Sequence, residues 1–180
     1  SINDHAEAST PRKWLDTKKS IQQCNNLSQG SNDLVSFLGW EWTQVDRNPE
    51  THFGHKNVMF LETDDVLVPP RAIGSGGLAP LVMRLGLPWT MSALPATLDL
   101  KNRDRFFAFN KFFEEIKDTP ICSKDVETKD LPINCYEEAE DPNILFKKLK
   151  AWETPYMVIP HGTTWGYYTP ATADWKKQLQ

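Results

Sequence analysis

Cysteine is sparse: the 180 residues hold three, and none stands in a CxxC spacing, which argues against a zinc ribbon or a dithiol redox motif. Basic charge is not in surplus either. A net charge of -4 offers no handle for a phosphate backbone or an anionic bilayer surface, so nucleic acid is not an expected partner. No apolar run approaches the roughly 20 residues that span a bilayer, and no basic-then-apolar leader opens the chain. Internal repeats and low-complexity tracts are missing too. What remains is 39% hydrophobic residues, enough for a core, in a length that suits a single domain over 1–180. Compartment and oligomeric state are not legible. A Cys122–Cys135 bridge is chemically reasonable in an oxidising environment, but idle or buried free thiols are the simpler reading.

Breakers divide the chain. Thr10 as N-cap and Pro11 as first helical residue predict a helix through about Asn25. Leu34 to Thr43 and His55 to Leu61 read as strands, joined by a turn rich in Asp, Asn and Pro into a hairpin or adjacent pair. Residues 66–97 carry so many Gly and Pro that they read as an insertion or lid, with one short helix at Leu78 to Leu85. Phe106, Phe109, Phe113 and Ile116 fall on one face of a helix from Asp104 to Lys117, a stripe expected in the core. Thr119 to Ile133 reads as a polar loop. Asp141 and Pro142 start a further helix carrying Leu145, Leu149 and Trp152, and Tyr156 to Pro160 reads as a buried strand with His161 at its C-terminal end. Helix, short loop, apolar strand and a polar residue at the strand end are the pattern of a barrel-like α/β fold with its site at the C-terminal face.

The chemistry centres on Phe37-Leu38-Gly39-Trp40-Glu41-Trp42-Thr43, where a lone carboxylate sits in an apolar strand with no Lys or Arg from Leu34 to Gln44. A buried carboxylate needs a cation or several donors, because its desolvation costs several kcal/mol. Three of the four histidines, His5, His55 and His161, stand beside similar strand-like runs. A lone histidine is more often structural than a ligand. Together with Glu41, however, these three suit a divalent ion such as zinc, manganese or iron. Asp4 and Glu7 are placed to orient the ligands. His52 lies three residues before His55 and is an alternative ligand by spacing. Beyond His161, Thr163 and Thr164 could hydrogen-bond a substrate oxygen, with Trp165 beside them, or the stretch is a tight aromatic loop. Alternation sends Trp40 and Trp42 to the face opposite Glu41, towards the core.

Asp4-His5-Ala6-Glu7, Gly39-Trp40-Glu41-Trp42-Thr43, His55-Lys56-Asn57-Val58-Met59-Phe60, Ile159-Pro160-His161-Gly162-Thr163-Thr164-Trp165-Gly166, Tyr168-Thr169-Pro170 and Trp175-Lys176-Lys177-Gln178-Leu179 resemble the domain-of-unknown-function 3604 family. That family looks like a branch of the polymerase and histidinol phosphatase (PHP) metallohydrolases. The resemblance implies an α/β fold, a distorted (β/α) barrel seen in part, with 66–97 inserted. It implies a metal cluster held by His5, Glu41, His55 and His161, with Glu41 bridging, and Glu41 and His161 acting directly in catalysis. It also implies hydrolysis of a small-molecule phosphate ester or related ester by metal-activated water. The family's His-x-His and Asp-x-His pairs have no counterpart here, so the chain reads as the central part of a longer protein, Ser1 to His5 being the end of a strand. A non-catalytic binding domain, with the same residues as a structural metal site or polar network, is the rival reading.

Overall fold

The structure is a computed structural model, and it describes residues 2–28, 35–46, 51–86 and 88–161. Its main sheet has four strands in the order β1 (Ile2–His5), β2 (Leu38–Gln44), β3 (Gly54–Phe60) and β6 (Tyr156–His161). β1 runs parallel to β2, whereas β3 is antiparallel to both β2 and β6. Three strands therefore point the same way, and His5 and His161 end two of them. Among the described residues the sheet is open and no closed barrel forms; the fold is mixed α/β with a mixed sheet and five helices.

Local signals decide the clearest helices. In α1 (Pro11–Leu27) the Thr10 hydroxyl accepts from the Lys13 N–H, and in α5 (Pro142–Ala151) Asp141 accepts from the Ile144 N–H. Each has proline where a missing N–H costs nothing. α1 runs two residues past the expected end.

One face of the main sheet makes the core. Leu38, Trp40 and Trp42 of β2 and Val58 and Phe60 of β3 are at most 1% exposed, so alternation does turn the two tryptophans inward. Trp14 of α1 meets Trp40 edge-on at 5.2 Å between ring centroids, and its Nε1 donates to the Pro69 carbonyl at 2.7 Å. Trp42 Nε1 donates to the Ala139 carbonyl at 3.1 Å. Aromatic pairs stabilise beyond their area alone; the Trp14 and Trp42 indole N–H groups are bonded, whereas Trp40 Nε1 is buried without a partner.

A second, two-stranded parallel sheet joins β4 (Ile73–Ser75) to β5 (Glu137–Ala139). Beneath it Arg71 donates to Glu137 Oε2 at 2.8 Å and to the Thr128 carbonyl at 2.6 Å, while Glu137 Oε1 accepts from Thr128 and Lys148. Both charges are buried and multiply bonded. The loop expected from Thr119 to Ile133 is pinned by this network, and by a Cys122–Cys135 disulfide where free thiols were the simpler reading.

Several expectations need correction. Residues 66–97 hold β4, α2 (Leu78–Leu85) and α3 (Trp89–Leu98) rather than a single helix, and Ile73 lies in the core. α3 runs through Pro95 at the cost of one main-chain hydrogen bond, and the Asp99 N–H closes its last turn on the Pro95 carbonyl at 2.8 Å. It buries small residues, Ser92 and Ala96, and turns Trp89 and Leu98 outward. In α4 (Arg103–Asp118) only Ile116 of the predicted stripe is buried; Phe109 is 52% exposed and meets Phe113 edge-on. Periodicity marks a face, and here α3 and α2, themselves small, are what that helix packs on. Among the described residues β6 lies at the edge of the sheet, with Met157 and Ile159 exposed, and is not a buried strand.

Candidate metal centre

Register places the site. His5 pairs with Glu41, and Thr43 pairs with His55, which pairs in turn with His161. Since paired residues point to the same face and alternate residues share it, all five side chains rise from the face opposite the tryptophans. Glu41 is the one half-buried residue in an otherwise buried strand.

Glu41 Oε1 is the hub. It lies 2.7 Å from His55 Nδ1, 3.5 Å from His161 Nε2 and 3.8 Å from His5 Nδ1. Ligand atoms of His5, Glu41 and His55 fall within 4.8 Å of one another, so this group could hold a metal ion. The longer two separations match the roughly 3.4 Å between neighbouring ligands of a tetrahedral ion with bonds near 2.1 Å. The 2.7 Å contact is a hydrogen bond, which an ion would have to widen.

Thr43 is the residue that sequence reasoning missed. Its hydroxyl lies 2.9 Å from His5 Nδ1, 3.1 Å from His55 Nδ1 and 3.4 Å from Glu41 Oε1. One hydroxyl proton serves one of these acceptors at a time. The signal was available: a residue two positions from Glu41 on a strand shares its face.

The two flanking carboxylates differ. Glu7, in a 3-10 turn (Ala6–Ala8) after β1, accepts at Oε1 from the Thr43 N–H at 3.0 Å and the Ser75 N–H at 2.8 Å. Its Oε2 lies 3.7 Å from His5 Nδ1. Asp4 is exposed, points to the other side of β1 and acts on His5 through its charge. The Glu7 interaction first, then the charges of Glu41, Glu7 and Asp4, raise the His5 pKa above 6.5 against the effect of burial. For His55 burial dominates and lowers the pKa despite Glu41, favouring the neutral imidazole a metal needs.

His52 is buried elsewhere. Its Nδ1 sits 3.0 Å from the Asp46 carbonyl oxygen and 3.2 Å from the Asp46 nitrogen, bracing the β2–β3 connection rather than joining the cluster. Thr163, Thr164 and Trp165 lie outside the described residues.

Among the described residues no helix is long and apolar enough to cross a membrane. Comparison of the chain with family models, curated proteins and solved structures finds no match.

Proposed function

We propose that this chain is part of a metal-dependent hydrolase of phosphate esters or related esters, built on a PHP-like barrel of which the open sheet is one section. One observation carries the reading: a single carboxylate oxygen, Glu41 Oε1, has imidazole nitrogens of three histidines from three strands within 3.8 Å. His5, His55 and His161 would be the histidine ligands and Glu41 the carboxylate they share; zinc, manganese and iron all suit the donor set. A bound divalent ion supplies Lewis acidity to a substrate oxygen and lowers the pKa of water towards neutrality. The chain's own residues do the positioning. β2 and β3 fix Glu41 and His55 by their ladder, and Thr43 holds the two Nδ1 atoms at hydrogen-bond distance. The sheet face around them carries Asn57 opposite Glu41, its Oδ1 buried without a hydrogen-bond partner.

The contacts of Thr43 favour a second reading, a non-catalytic binding domain, because they already join the cluster as a metal-free polar network. Metal analysis and phosphoesterase assays separate the two. The hydrolase reading expects bound divalent metal, ester hydrolysis and the loss of both in Glu41→Gln. A metal-free, inactive protein whose Glu41→Gln form is equally stable would refute it.

A further inference from the structure

Glu7 keeps one oxygen unused in a place where that is costly. Its side chain is 3% exposed, its Oε1 is saturated by two main-chain N–H groups, and its Oε2 is buried without a hydrogen-bond partner. A dry carboxylate oxygen calls for a cation or a donor. Its neighbour His5 Nδ1, at 3.7 Å, is too far for a hydrogen bond and close to the spacing of two ligands on one ion.

The ring nitrogen involved decides between orienting His5 and sharing an ion with it. A carboxylate that orients a metal-bound histidine bonds the nitrogen remote from the metal. Glu7 instead faces Nδ1, the same nitrogen that faces Glu41 Oε1 at 3.8 Å. Glu7 is also held firmly: Thr43 of β2 and Ser75 of β4 donate to it, and the Tyr136 hydroxyl donates to the Ser75 carbonyl at 2.9 Å. Such clamping leaves Oε2 a fixed direction.

We propose that Glu7 is itself a metal ligand, taking with His5 Nδ1 a divalent ion distinct from the one held at His55 and His161, with Glu41 between the two. This rests on the metal reading above. Water or substrate completes the Glu7–His5 position, an open site of the kind catalytic metals occupy. The substitution Glu7→Gln is a clean probe, because the amide oxygen keeps both main-chain N–H bonds while the anionic ligand is lost.

Metal-stripped protein titrated with Zn2+ alone by calorimetry, with equilibrium dialysis for stoichiometry, gives the answer without reference to activity. Wild type is expected to bind two equivalents, Glu7→Gln one and His5→Gln one. The double variant Glu7→Gln/His5→Gln should also bind one, since both remove the same ion, whereas His55→Gln should lose the other. Circular dichroism and melting confirm that each variant folds, and the half-exposed His5 ring makes His5→Gln the safer of the two. A Glu7→Gln protein that still binds two equivalents, at an affinity within about a hundredfold of wild type, overturns the proposal, because an orienting partner costs about 10–100-fold without changing stoichiometry. So does a wild type that binds only one. A wild type that binds none overturns the metal reading itself.

Discussion

Lys56 presents an electrostatic cost that can be measured. It is 2% exposed on the core face of β3, paired in register with Trp42, and its ammonium donates to the Phe53 carbonyl at 2.8 Å and lies 5.2 Å from the centroid of the Trp42 ring. Burial pushes its pKa from 10.5 down to about 8. Because the folded pKa lies below the unfolded one, the unfolded chain binds the extra proton between about pH 8 and 10.5. Stability is therefore depressed below the folded pKa and rises as pH climbs through that window. At about 1.4 kcal/mol per pKa unit the penalty at pH 7 is about 3 kcal/mol. Lys56→Met removes it, forfeits one hydrogen bond worth about 1 kcal/mol, and should stabilise the fold by about 2 kcal/mol. Urea denaturation of both proteins at pH 7, 8, 9 and 9.5 tests this. The advantage of the variant should shrink to a few tenths of a kcal/mol by about pH 9.5. Tyr136, which burial holds well above its usual pKa, remains neutral across that range. A variant less stable than wild type at pH 7, or an advantage independent of pH, would refute the reasoning.

Two further perturbations probe the region beside the second sheet. Cys135→Ser, or reduction of wild type, opens the loop closed by the Cys122–Cys135 bridge over a separation of 13 residues and should lower stability by about 3 kcal/mol in a denaturant titration; an unchanged midpoint would mean that the bridge is not formed in solution. Arg71→Met leaves the fully buried Glu137 with Thr128 and Lys148 alone, and the expected loss is about 3–5 kcal/mol. Restoration by Arg71→Met/Glu137→Gln should recover part of it, and a double variant no better than the single would show that the charge pairing is not the source.

The site was more legible than the fold around it, for a physical reason. Glu41, His55 and His161 are brought together by alternation along strands and by the ladder between them, and both operate over a few residues wherever a strand forms. His5 joins by one parallel pairing, and the same alternation would have located Thr43. Helix ends at Thr10-Pro11 and Asp141-Pro142 were equally local. What sequence could not supply was the surface each apolar face meets. The Phe106 to Ile116 stripe has the period of a core helix, yet among the described residues it packs mainly on α2 and α3, and its phenylalanines remain partly open. β6 has the composition of a buried strand but, among the described residues, pairs with β3 alone. Glu7 shows the same limit within the site itself. Two residues after His5, it looks from spacing like an orienting carboxylate; only the arrival of Ser75, 68 residues away, to bond Oε1 reveals that Oε2 is left free and aimed at His5 Nδ1, the nitrogen that also faces Glu41.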